Sequence, residues 1–183
     1  MQYEIKGDKM PVVVCSLENG ESMITEGGSM AWMSPNMEMT TSGGGSFGAA
    51  MGRFFSGERI FQNIYTAQGG EGMIAFTPSF PGTILALDVT PDTPLILQKR
   101  AFLASESGVK LSTYFQKKGM AGFFAGEGFI MQKVTGQGKV FVEIDGSAMT
   151  YELGAGERLI ASTGAVAVMD ATCTMDVVTV KGA

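Results

Sequence analysis

GGGSFGAAMGRFFSGERIFQNIYT, from Gly43 to Thr66, decides how this chain is read, because MAGFFAGEGFIMQKVT, from Met120 to Thr135, carries the same marks. Phe54-Phe55 aligns with Phe123-Phe124, Gly57-Glu58 with Gly126-Glu127, Thr66 with Thr135 and Gln68-Gly69 with Gln137-Gly138. In Ser46 to Phe55, Phe47, Met51, Phe54 and Phe55 stand at i, i+4, i+7 and i+8, one face of a helix, and Gly57 suits a left-handed cap. The second copy repeats this with Met120, Phe123 and Phe124 before Gly126. Each copy therefore predicts a short apolar helix, a glycine stop and a strand.

Outward from this pair, a larger unit recurs. A β-branched strand (Val12 to Leu17; Thr83 to Val89; Lys139 to Ile144) leads into a turn (Glu18 to Glu21; Thr90 to Thr93; Asp145 to Ser147 and Gly154 to Gly156). A short strand and a hydrophobic-Ser corner follow. The corner is Met30 to Ser34, Phe102 to Ser105 and, in the third copy, Leu159 to Ser162. Next comes a strand whose side chains alternate between faces (Met37, Met39; Val109, Leu111; Val166, Val168). In the third copy an alternating strand from Met175 to Val180 leads to Lys181-Gly182, where its helix and hairpin should begin, while Gln2 to Ile5 is expected in the place that a third hairpin leaves.

The expectation is a single all-β domain of repeated antiparallel β-sandwich units with a pseudo-threefold and two short helices. Its units are approximately residues 1–80, 81–142 and an incomplete 143–183.

Composition narrows the function. The chain has 183 residues, 45% of them apolar, enough to fill one core. Charged residues make up only 17% and glycines number 26, so burial against other copies is expected. A net charge of -5 has the wrong sign for a phosphate backbone, which disfavours nucleic acid. Cys15 and Cys173 lie far apart in apolar surroundings and are read as reduced core residues. Met1 to Met10 has no apolar h-region and no run is long enough to span a membrane, so the expected address is cytoplasmic.

Two catalytic patterns fail on inspection. Gly44 to Gly48 reads as G-x-S-x-G around Ser46, but a serine nucleophile needs a base, and the chain has no histidine. A Ser-Lys dyad is the remaining form. Gly43 to Gly48 also reads as G-x-G-x-x-G, yet the helix that follows is too short for the crossover a dinucleotide fold requires. Without histidine or paired cysteines, metal sites lack ligands. Glu58 and Glu127 recur at the Gly-Glu corners, where a carboxylate accepts turn amides; as a facing pair they would instead form an acid-base site. No catalytic, cofactor-binding or metal-binding residue is assigned.

The Gly-rich segment, the short apolar helix and the run from Gly57-Glu58 to Thr66-Ala67, with its second copy at Gly126 to Gly128, resemble the family named after yeast altered inheritance of mitochondria, mutant twenty-four. The resemblance covers essentially the whole chain. It implies a fold similar to the tryptophan RNA-binding attenuation protein, TRAP-like or double-stranded β-helix-like, assembled into homo-oligomers. It implies no residue roles, because the family has no established catalytic residues, and fold alone does not carry the cousin's ligands across.

The reading is therefore a non-catalytic, oligomeric binding or scaffold protein, with a trimer in keeping with the threefold. Two alternatives stand beside it. Phe54-Phe55 with Arg53, and Phe123-Phe124 with Lys117 and Lys118, present an apolar-basic face to a membrane surface. A pocket near Glu58 and Glu127 would instead make a small-ligand binder or enzyme.

Overall fold

The computed structural model describes residues 1–41, 62–114 and 130–176. Among these there are strands and two 3-10 turns, Lys99–Ala101 and Thr163–Ala165, and every strand pair is antiparallel. Both expected Phe-Phe helices, with Ser46, Glu58 and Glu127, lie outside the described residues.

Three sheets carry the chain. In the first, β1 (Gln2–Lys6), β2 (Val12–Leu17), β7 (Gly72–Phe76) and β4 (Met30–Met33) lie side by side in that order. The second runs β5 (Met37–Thr41), β6 (Asn63–Ala67), β3 (Ser22–Thr25), β10 (Phe102–Glu106), β13 (Gly138–Asp145) and β8 (Gly82–Val89). The third is β11 (Val109–Thr113), β12 (Met131–Gly136), β9 (Leu95–Gln98) and β14 (Val168–Asp170).

Strand β13 shows why its sequence forms a strand and where the core sits. Successive side chains of a strand take opposite faces. Phe141 enters one apolar cluster with Val13, Cys15, Ile74 and Phe76. Val140 and Val142 enter another with Val89, Leu97, Phe102 and Val134. Covered on both faces, the strand reads as the near-continuous apolar run KVFVEI rather than as an alternation. It pairs with β8 from Gly138 opposite Val89 to Asp145 opposite Gly82. At that last pair the backbones come so close that a Cβ on residue 82 would overlap the Ile144 carbonyl oxygen, which is why glycine stands there.

The turns at Glu18–Glu21 and Gly154–Glu157 are built alike. In one, the Glu21 amide donates to the Glu18 carbonyl at 3.0 Å and the Glu18 amide to Glu21 Oε2 at 2.8 Å. In the other, the Glu157 amide donates to the Gly154 carbonyl at 3.0 Å and the Gly154 amide to Glu157 Oε2 at 2.7 Å. Gly20 and Gly156 supply the positive φ, 87° and 82°, that each turn needs. The Thr90–Thr93 turn closes with the Thr93 amide on the Thr90 carbonyl at 3.2 Å.

Three expectations meet differences here. Leu159 to Ser162, read as the third corner, is exposed and outside any strand; the third strand set beside β9, as β10 is set beside β3, is β14. The apolar-small pattern L-I-A-S fits either kind of strand, and the Gly154–Glu157 turn puts it where β3 and β9 stand, after a turn. Gln2–Lys6 does pair with β2, but β2's other edge is taken by β7, so β1 adds an outer strand rather than replacing a hairpin. Cys15 is fully buried as expected, whereas Cys173 is half-buried. The expected strand from Met175 to Val180 falls mostly on 177–183, outside the described residues.

Candidate functional site

A cavity of about 540 Å³ opens where the end of β13, the 3-10 turn after β9, the loop before β8 and residues 164–167 converge. Glu143 and Asp145, two apart on β13, share a face and both line it. Arg100 comes from the 3-10 turn and its guanidinium lies 3.6 Å from the Asp145 carboxylate, both side chains well exposed. An ion pair that open contributes little to stability. From the loop before β8, the Ser79 amide donates to Glu143 Oε2 at 2.7 Å. The opposite wall is held by the Gln98 amide, which donates to the Ala167 carbonyl at 2.8 Å.

Burial pushes the half-buried Glu143 carboxyl above its ordinary range; the Ser79 amide opposes the shift, Asp145 adds to it and Arg100 subtracts. Its ionised form is thus less favoured folded than unfolded. Stability tied to the proton is present at low pH and is lost as pH rises from the unfolded carboxyl value, about 4.3, toward the raised folded value. Glu143→Gln keeps an acceptor for Ser79 and cannot ionise. The variant is expected to melt above the wild type at pH 7 and to converge with it by pH 4, as thermal melts across that range will read. Equal melting temperatures at every pH would contradict the buried-charge account.

Chemically the cavity offers two carboxylates, one cation and amide and hydroxyl groups. That set is able to hydrogen-bond a small polar molecule; among the described lining residues there is no thiol or histidine. Among the described residues no group of histidine, cysteine and carboxylate side chains is arranged to hold a metal ion.

Elsewhere the charged groups serve the fold. Glu106 Oε2 accepts from the Lys139 amide at 2.6 Å, and the Lys139 ammonium pairs with Asp88 and lies 5.6 Å from the Tyr3 ring centre. Burial, helped by the nearby Glu106 charge, pushes the Cys15 thiol up to about 12, so it remains a protonated core group rather than a nucleophile. Of the large apolar residues in β3, β4 and β5, Met23 and Met37 are buried, whereas Trp32, Met33 and Met39 are exposed. No described helix is long and apolar enough to cross a membrane.

Glu143, Asp145 and Arg100 were not singled out by the sequence. The available signal was the pair of acids two residues apart, E-I-D, ending an otherwise apolar strand. The Gly-Glu corners at Glu58 and Glu127, expected to flank a pocket, lie outside the described residues.

The family model Mitochondrial biogenesis AIM24 matches residues 3–183. The chain is 30% identical over 166 residues to the uncharacterized protein M6_Spy0233 of Streptococcus pyogenes serotype M6, covering 87% of this chain and 66% of that protein. The crystal structure of protein SPYM3_0169 from Streptococcus pyogenes matches with a TM-score of 0.62 and 28% identity, over 80% of this chain and 65% of that one. The chain thus spans just under two thirds of the length of each.

Proposed function

Since the chain belongs to the Mitochondrial biogenesis AIM24 family, whose matched relative is itself described only as uncharacterized, we propose a reading that starts from its surface: a self-assembling binding or scaffold module rather than an enzyme. The observation that carries this is β4. It is the last strand of its sheet among the described residues, it bears no charge, and it exposes Trp32 and Met33. Soluble proteins normally blunt such an edge with charge, proline or a covering element. Exposed Met149, Tyr151, Leu153, Leu159 and Ile160 add apolar surface of the kind that marks an association site.

A repeated unit is part of this reading. β2, β7 and β4 are neighbours as β8, β13 and β10 are, and β3, β6 and β5 are neighbours as β9, β12 and β11 are. Units of about 1–80, 81–142 and 143–183, arranged around a TRAP-like pseudo-threefold, account for that recurrence, and a trimer is the expected assembly.

Sedimentation velocity at micromolar concentration tests the proposal. A species heavier than one chain is expected; a single monomeric boundary removes the reading. A second reading, small-ligand binding, rests on the cavity beside Glu143. Native mass spectrometry of protein from its own cells will show either a bound small molecule there or bare chain, and the latter disposes of it.

A further inference from the structure

We infer that the open edge of β4 receives residues Leu159–Ala161 of a second copy of this chain, as an antiparallel strand with Met33 opposite Ile160. The inference rests on the self-assembly reading and names the surfaces that make the contact.

The register comes from counting onward from the three matching turns. Their last residues are Glu21, Thr93 and Glu157. An isoleucine stands three positions after each: Ile24, Ile96 and Ile160. Met33, Ser105 and Met169 stand twelve positions after the same residues. In the pairing of β10 with β3, Ser105 lies opposite Ile24. In the pairing of β14 with β9, Met169 lies opposite Ile96. Twice, then, the residue twelve past one turn faces the isoleucine three past the turn before it. Met33 and Ile160 are the two members of this set left over.

Among the described residues no strand pairs with either left-over surface. Ile160 is 85% exposed and Leu159 53%, while on β4 Trp32 is 48% exposed and Met33 36%. Every residue from 148 to 162 is exposed, and among the described residues β4 is paired with β7 and with no part of this stretch. A second copy is therefore the occupant that can satisfy the edge. The pairing would put Trp32 opposite Ala161 and Ser34 opposite Leu159, a large side chain against a small one at each step. It joins two different surfaces, so copies link head to tail, in a ring where the rotation between them closes and in a filament where it does not. The affinity of such strand addition comes from main-chain hydrogen bonds, with the side chains setting the register.

Mixing chains that each carry one new cysteine tests this, in a Cys173→Ser background with the fully buried Cys15 left in place. Met33→Cys is mixed with Ile160→Cys, and Trp32→Cys with Ala161→Cys. Adjacent pairs alternate between hydrogen-bonded and non-hydrogen-bonded positions, so one of the two mixtures has the shorter Cβ spacing that a disulfide needs. All four sites are exposed, and circular dichroism confirms that each variant folds.

A two-chain disulfide band is expected on non-reducing gels. It should be at least about tenfold stronger than from Met33→Cys mixed with Ala161→Cys, where a one-residue slip turns the thiols to opposite faces. No band from either matched mixture, with sedimentation still showing an oligomer, overturns this inference and leaves the self-assembly reading standing. A bridge formed only within single chains carrying both Met33→Cys and Ile160→Cys assigns the edge to the chain's own segment and also overturns it. A monomer in sedimentation removes the underlying reading itself.

Discussion

Phe141→Ala is expected to cost about 3–5 kcal/mol and to lower the melting temperature by roughly 6 to 20 °C. The ring is fully buried and meets the Tyr3 ring edge-on, centroids 5.1 Å apart and planes at 72°. Around it stand Leu103, Ile74 and Phe76, all fully buried on strands of two different sheets. These neighbours are held by their own pairings, with β13 fixed to β8 on one side and β10 on the other, so the site cannot collapse to fill the void. Native stability is commonly about 5–15 kcal/mol in all, so the loss is a large fraction of it. A thermal melt reads the effect directly, and a shift under about 2 °C would mean that the ring is not packed as described.

Gly82→Ala is the second large effect, and its mechanism is the opposite one, too much matter instead of too little. A Cβ at residue 82 would overlap the Ile144 carbonyl oxygen and crowd the Gly146 amide, both of them backbone atoms. A flexible side chain can move aside, but a backbone carbonyl held in a ladder cannot do so without opening the pair. The expected result is a loss of about 3 kcal/mol or more, at the high end for a single substitution. Gly156→Ala provides the comparison, because nothing lies within 4 Å of its Cβ position and only its φ of 82° opposes the change. That control should lose about 1–2 kcal/mol. If denaturant midpoints show the two variants equal, close approach is not the reason for glycine at position 82.

Much of the strand order along the chain was legible, and the reason is local. Val12 to Leu17 and Lys139 to Ile144 are β-branched or apolar runs bounded by turn residues, and they coincide closely with β2 and β13. The connection between β6 and β7 was marked by its Gly69-Gly70 pair, both with positive φ, but the two strands enter different sheets and do not pair as a hairpin. Who pairs with whom was less legible. That β10 lies beside β3, and β14 beside β9, joins residues far apart in sequence, and a four-residue likeness such as L-I-A-S cannot choose between two elements of similar pattern. The cavity was invisible for the same reason. Ser79, Arg100 and Glu143 come from three separate connections or strands, brought to one mouth by the register of β13 against β8 and by the 3-10 turn set against β13. Glu58 and Glu127 repeat in the sequence and lie outside the described residues; a repeat alone assigns no ligand.

Strand β13 gives Phe141 to one apolar cluster and Val140 and Val142 to the other. A partition wall shared by two rooms cannot be taken down for the sake of one. Removing the strands that supply either cluster would strip that wall on one side and leave oily surface open to water. Loops and rims touch neither cluster's interior, and change is expected to be borne more easily there.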